Sequence, residues 1–304
     1  MPLSEQYQRQ VALLVEVIPF AAAEKEFALK GGTAINLFVR DMPRLSVDID
    51  LTYLPVAPRP QSLAAIDAAM KRMAAAIRAG LRGVRVTEVP NAREKIVTKV
   101  TIQRPDAQVK VEVTPVLRGC VFGPTTRPVS PSVEAAFGYA EMQVVSFADL
   151  YAGKIMAALD RQHPRDLFDI RDLLANEGID DDLRRAFIVY LISHDRPISE
   201  VIVPRRKDIA KEFEQGFDGM TTEPVTLDDL LTARETLIAT VAGGMPKEHK
   251  DFLLGFKRGN PNWDLLGVAS APELPAVKWK QINLDKLTAD ARARLIDQLA
   301  DVLR

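Results

Sequence analysis

Ser46-Val47-Asp48-Ile49-Asp50-Leu51-Thr52-Tyr53-Leu54 alternates polar and apolar residues with a period of two, the pattern of a β-strand with one wet face. That period puts Ser46, Asp48, Asp50 and Thr52 on one side and turns Val47, Ile49 and Leu51 toward a core. Two carboxylates at i and i+2 then point the same way, with Cβ atoms roughly 6–7 Å apart. Oxygen ligands at that spacing suit one hard divalent cation or a close metal pair. Upstream, Leu29-Lys30-Gly31-Gly32-Thr33 reads as a sharp glycine turn opening a short helix over 34–39, and Asp48 follows Gly32 by sixteen residues. Backbone N–H groups at such a turn can cradle phosphate. Each half is common by itself: paired glycines mark many turns, and an isolated Asp-x-Asp is usually a solvated strand face.

Working outward, Val11, Leu14, Val15 and Ile18 predict a helix over 4–18. Pro19 is expected to end or kink it, with a second short helix over 20–28. After Pro55, Pro58 and Pro60, residues 62–81 form an Ala-rich amphipathic helix. Residues 95–102 and 109–114 alternate as strands joined by a hairpin at Arg104-Pro105-Asp106-Ala107. The glycines and prolines of 119–132 suggest a connector. Helices are then expected from Phe147 to about Asp160, from Pro164 to about Ala175, and over 182–194, 205–215, 227–241 and 285–303. The fold class is α+β: an N-terminal mixed sheet flanked by helices (1–125), then a mainly helical lobe (126–304).

Composition narrows the class of protein. Over 304 residues, 47% hydrophobic and 27% charged side chains describe an ordinary soluble globular chain. The net charge of -1 is unevenly spread: residues 1–130 hold 18 basic and 12 acidic side chains, residues 131–304 hold 22 and 29. A positive first half suits a phosphate-bearing ligand. One cysteine, Cys120, excludes an intrachain disulfide framework and a Cys-cluster metal site, and His163, His194 and His249 lack ligand spacing. The first ten residues do not have the pattern of a signal peptide, and no apolar run reaches the roughly 18 residues of a membrane span. A reduced, cytoplasmic location without membrane association is expected.

The glycine turn, the Asp-x-Asp strand and a later acidic strand at Val109-Lys110-Val111-Glu112-Val113 together resemble the DNA polymerase beta-like nucleotidyltransferase signature. A second set of residues sharpens the likeness. Phe147-Ala148-Asp149-Leu150-Tyr151-Ala152-Gly153-Lys154 is followed by Arg161-Gln162-His163-Pro164-Arg165-Asp166-Leu167-Phe168-Asp169. A Lys on one helix and an Arg-Asp-x-x-Asp start on the next resemble the AbiEii-type nucleotidyltransferase toxins of type IV toxin–antitoxin systems, which include the mycobacterial MenT toxins. Phe256 to Trp263 and Leu274 to Lys280 look like the C-terminal part of that family.

The resemblance implies a toxin that moves a nucleotide from an NTP onto an RNA, at the tRNA 3′ end, and so halts translation. It implies Mg²⁺, with Mn²⁺ as an alternative, and a cognate antitoxin encoded nearby. Asp48, Asp50, Lys154 and Asp169 would be catalytic, with Asp48, Asp50 and Glu112 on metal. Gly31, Gly32, Thr33, Ser46, Lys154, Arg165 and Asp166 would bind the nucleotide. Plainer readings stand beside these. Glu112 is either a third acid or an exposed strand residue beside Lys110. Asp166 also suits a helix start electrostatically, and Arg161 and Arg165 either clamp phosphate or pair with the acids. Trp263 and Trp279 are read as core residues and His163 as structural. Two other functions remain open: a small-molecule nucleotidyltransferase or phosphotransferase, and a non-catalytic NTP- or RNA-binding protein.

Overall fold

In the computed structural model, which describes residues 5–304, the chain begins with helix α1 (Glu5–Ala23), whose buried Tyr7, Val11, Leu14, Val15 and Ile18 keep the expected spacing. The expected first residue, Ser4, lies outside the described residues. Pro19 does not stop this helix. It sits on the exposed side, while Val17, Ile18 and Ala21 around it are buried. That burial outweighs the one hydrogen bond a proline removes. Nor is there a second helix over 20–28: Phe20–Ala23 belongs to α1, and Phe27–Lys30 is strand β1. Its Phe27-Ala28-Leu29 is a continuous buried run, as an interior strand requires.

From β1 the chain turns into a short helix, α2 (Gly31–Ala34), and a π-helical turn over Ile35–Val39. Strand β2 (Asp48–Tyr53), helix α3 (Arg59–Gly80) and strands β3 (Arg85–Pro90), β4 (Val97–Arg104), β5 (Ala107–Arg118) and β6 (Thr125–Pro128) follow, then α4 (Pro131–Phe137) and β7 (Glu141–Val144). The strands form one mixed sheet in the order β3-β4-β5-β2-β1-β7-β6. The expected hairpin joins β4 to β5, with Arg104 opposite Ala107. β3 escaped prediction because it is a largely exposed edge strand with no apolar alternation. The segment 119–132 is more than a connector: β6 pairs with β7, which pairs with β1.

The sheet therefore continues past residue 125. Among the described residues, the first compact unit runs up to Ser146 and takes in Gly219–Pro224. The late segment docks through Leu45 N–H to Met220 O and Thr222 N–H to Pro43 O, each 3.0 Å. Helices α1 and α3 pack on each other and on the sheet. Ile49, Leu51, Val109, Val111 and Val113 are buried, each such side chain contributing roughly 1.5–3 kcal/mol.

The second unit, Phe147–Asp218 with Val225–Arg304, is helical. It contains α5 (Phe147–Asp160), α6 (Pro164–Asn176), α7 (Asp181–Ser193), α8 (Ile198–Ile202), α9 (Ala210–Gly216), α10 (Leu227–Ala242), α11 (Lys247–Arg258), α12 (Pro275–Asp285) and α13 (Ala289–Leu303). The helix expected over 205–215 shortens to α9, while α8, α11 and α12 are additional. α11 stops at Gly259, whose φ of +84° forms a left-handed C-terminal cap. Trp263 packs on Phe252 and Phe256, ring centres 5.2 and 6.2 Å away. Trp279 is not a core residue: it is 58% exposed, because α12 buries Ala276, Val277 and Leu284 instead. Among the described residues, no helix is long and apolar enough to cross a membrane.

Candidate functional site

In the first unit, β1 and β2 run antiparallel with Lys30 opposite Asp50. β2 and β5 run parallel, with Asp50 opposite Glu112 and Asp48 opposite Lys110. Paired residues share a face, so Lys30, Asp50 and Glu112 form one row and Asp48 and Lys110 the next. β4 extends the first row with Lys99, whose Nζ lies 2.8 Å from Glu112 Oε1. Asp48 is exposed, and Asp50 and Glu112 are half-buried. Thr52, expected on this wet face, is buried.

The strand pattern thus brings three acids to one face without closing them on one point. Among the described residues, no three His, Cys, Asp or Glu side chains converge as a metal-binding group. Asp48 and Asp50 remain as neighbours along one strand, while Lys99 engages Glu112. Their donors are all oxygen, as a hard cation requires, and two carboxylates leave positions for phosphate oxygens and water, the usual arrangement for Mg²⁺. The residues fit such an ion.

The glycine turn lies against this strand. Gly31 has φ +77°, and a Cβ there would stand 2.6 Å from Asp50 Oδ2. Only glycine meets both demands. At Gly32 a Cβ would stand 2.7 Å from Ser46 Oγ. Buried Thr33 donates its hydroxyl proton to the Asp48 carbonyl at 2.5 Å. With that single proton used, the Ser46 hydroxyl donates to Thr33 Oγ1 at 3.1 Å. Ser46 itself precedes β2, and its N–H donates to the Tyr7 hydroxyl at 2.8 Å. Buried Asn36 donates to the Gly32 carbonyl at 2.8 Å and accepts the Arg44 N–H at 3.3 Å. Burial lowers the Lys30 ammonium from its ordinary range, against the pull of Asp50.

A different cluster occupies the second unit. Lys154 Nζ on α5 lies 2.8 Å from Asp166 Oδ1 and 2.9 Å from Asp169 Oδ2, both on α6. Arg161 adds a bidentate contact to Asp166 at 2.5 and 2.9 Å. Lys154 is 6% exposed, Asp166 0% and Asp169 1%, so the carboxylates serve as buried counter-ions. Burial alone would raise the Asp166 carboxyl, but the Lys154 ammonium and Arg161 override it and hold it well below the usual carboxylate range. Arg165 is exposed. Its backbone N–H donates to His163 Nδ1 at 3.1 Å, so His163 caps α6. Asp149, also buried, accepts from the Tyr190 hydroxyl at 3.2 Å.

Sequence reasoning missed Lys30, Lys99, Asn36 and Tyr7. Lys30 needed the antiparallel register, Lys99 the pairing of β4 with β5, and Tyr7 a contact over thirty-nine residues. Asn36 carried a local signal, standing one helical turn after Gly32.

Comparison with solved structures gives the class of fold. The chain is similar to MenT4, a nucleotidyltransferase toxin from Mycobacterium tuberculosis H37Rv, with a TM-score of 0.61 and 14% sequence identity, over 99% of this chain and 95% of that one. At such identity the likeness establishes the fold, that of the nucleotidyltransferase toxins. A search of curated proteins found no match. The family model for the nucleotidyl transferase AbiEii toxin, type IV TA system, matches residues 12–280, and the chain belongs to that family.

Proposed function

We propose that this toxin transfers a nucleotide from an NTP to an RNA acceptor, the tRNA 3′ end, in a Mg²⁺-dependent reaction that blocks translation in the cytoplasm. The observation that carries the reading is the placement of Gly31 against Asp50, which sets the glycine turn beside two strand carboxylates and supports a phosphate-cradling role for it. A divalent cation held by Asp48 and Asp50 would supply charge neutralisation on the triphosphate and polarise the reacting phosphoryl group. The N–H groups of the Gly31-Gly32-Thr33 turn hold phosphate oxygens, and the absent Cβ atoms let the ligand approach the backbone. Thr33 fixes the turn to the strand through the Asp48 carbonyl, so the donors are oriented before substrate arrives. Lys30 adds positive charge in the Asp50 row.

The Lys154–Asp166–Asp169 cluster takes a positioning role, tying α5 to α6 beside exposed Arg165, in place of direct phosphate contact. Membership of the family supports a cognate antitoxin as the protein partner.

The test is to incubate the purified protein with each α-labelled NTP, MgCl₂ and total tRNA, and resolve the products on a denaturing gel. Label is expected in tRNA, and is expected to vanish with EDTA or in Asp48→Ala. Label on a small acceptor, or NTP binding without transfer, would overturn the proposal in favour of an antibiotic-modifying type of enzyme or a nucleotide sensor. Equal toxicity of wild type and Asp48→Ala on induction would sink the catalytic assignment.

A further inference from the structure

At the far end of β2 from Asp48, a guanidinium is buried without a counter-ion among the described residues. Arg118 closes β5 opposite Tyr53, the last residue of β2. The ladder slips there: Leu51 faces Val113 and Tyr53 faces Arg118, so β5 advances five residues while β2 advances two. Pro115 lies inside the slip, where it has no N–H to donate. Gly119, at φ +79°, completes the strand end by donating its N–H to the Tyr53 carbonyl at 2.8 Å. The irregularity leaves Val116 at 52% exposure and draws Arg118 in to 7%.

Inside, Arg118 meets nothing that balances it. Its Nε and Nη1 are buried with no hydrogen-bond partner among the described residues. Arg59, whose own guanidinium is paired with Glu94, works with burial to disfavour the protonated Arg118 guanidinium, while Tyr53 pulls the other way. An arginine nonetheless stays charged, and burying such a charge unpaired is strongly unfavourable. Tyr53 is buried too, and burial together with the Glu26 charge holds its phenol above the usual range, so it stays an O–H donor. Glu26 itself is engaged by Arg72 at 3.2 Å. The 22-residue helix α3 starts at Arg59 with no side-chain cap and packs on β5, so its positive end adds to the same field.

We propose that Arg118, Arg59, the Tyr53 hydroxyl and the first turn of α3 form a binding site for a phosphate group, about 16 Å along β2 from Asp48 and separate from the acidic face. The ligand is an oxyanion that accepts from the fork-shaped guanidinium. It is either free phosphate or a backbone phosphate of an RNA. The site does not depend on nucleotide transfer, and its test does not use that activity.

Full-length protein is titrated with sodium phosphate, and with sodium chloride at equal ionic strength, while melting temperature and heats of binding are recorded. Phosphate but not chloride should bind and raise the melting temperature. Arg118→Met should weaken phosphate binding about tenfold or more. Without phosphate its melting temperature should equal or exceed that of wild type, because an unpaired buried charge has gone. A purely structural Arg118 predicts the reverse, a lower melting temperature with the phosphate response intact, and that result overturns the site. Should Arg118→Met not fold, a folded Arg59→Gln/Tyr53→Phe double variant decides: a lost response supports the site and a retained one rejects it. A short RNA without terminal phosphates separates the sources. If it displaces phosphate, the ligand is the RNA backbone; if it does not, the ligand is the free anion. Wild type that binds neither rejects the proposal.

Discussion

Two aspartate pairs, each beside a lysine, sit in opposite surroundings. Asp48 and Asp50 stand two apart on a strand, with Asp48 exposed and Lys30 in the row of Asp50. Asp166 and Asp169 stand three apart on a helix, both sealed from water and closed on Lys154. The residue types are the same, yet their surroundings differ. On the proposed reading, exposed Asp48 offers its oxygens to a cation, whereas Asp166 and Asp169, closed on a buried ammonium, tie α5 to α6. The second arrangement is unforgiving, because removing one member leaves the others charged and unpaired.

The largest effect that could break this contrast is catalytic. Asp48→Asn should lower nucleotide transfer by about 10³-fold or more with an unchanged melting temperature, as read from labelling assays and thermal unfolding of the same preparation. Next comes Lys154→Met, which should destabilise the protein by about 3–5 kcal/mol in urea unfolding. Adding Asp166→Asn and Asp169→Asn should recover part of that loss. A stable Lys154→Met protein with dead chemistry would reverse the assignment of the two clusters.

Gly31→Ala should cost about 1–2 kcal/mol through its left-handed backbone, and also activity, since its Cβ would displace Asp50 Oδ2. Gly83→Ala is the control: φ is +70° and no atom lies within 4 Å of its Cβ, so stability should fall and activity should not. The smallest effect is in pH. Asp166 has a depressed folded pKa, so its stabilising effect is complete above the unfolded carboxylate value of about 4 and is lost as pH falls toward the folded one. The stability gap between wild type and Asp166→Asn should be flat above about pH 5. Below about pH 4 it should shrink by at most about 1.4 kcal/mol per pH unit. A gap that grows on acidification would mean Asp166 is not the counter-ion of Lys154.

Much of this was legible in the chain because it is periodic or local. The alternation of 46–54 located β2 and its acidic face, and the β4–β5 hairpin followed from two alternating runs around Pro105-Asp106. The spacing of Asp166 and Asp169 put both on one side of α6. Elements that failed did so where tertiary burial overrode local preference. α1 passes through Pro19 because its neighbours are buried, and β1 is a strand because Phe27 to Leu29 fill the sheet interior between β2 and β7. Neither fact is visible in a window of ten residues. Lys154 illustrates the same limit: its place on a helix was readable, but its enclosure by two carboxylates was not.

The residues alone determined which side chains could share a face, because a strand's period of two and a helix's 3.6 are properties of the backbone. They also determined the glycine bend, since a left-handed turn pressed against a carboxylate tolerates no Cβ. Only the tertiary structure decided that Gly219–Pro224 returns to brace the loop before Ser46, that Lys99 engages Glu112, and that Arg118 is drawn inward with no counter-ion among the described residues. Those outcomes depend on contacts between distant segments, and the energy of such contacts exists only once the sheet has brought the segments together.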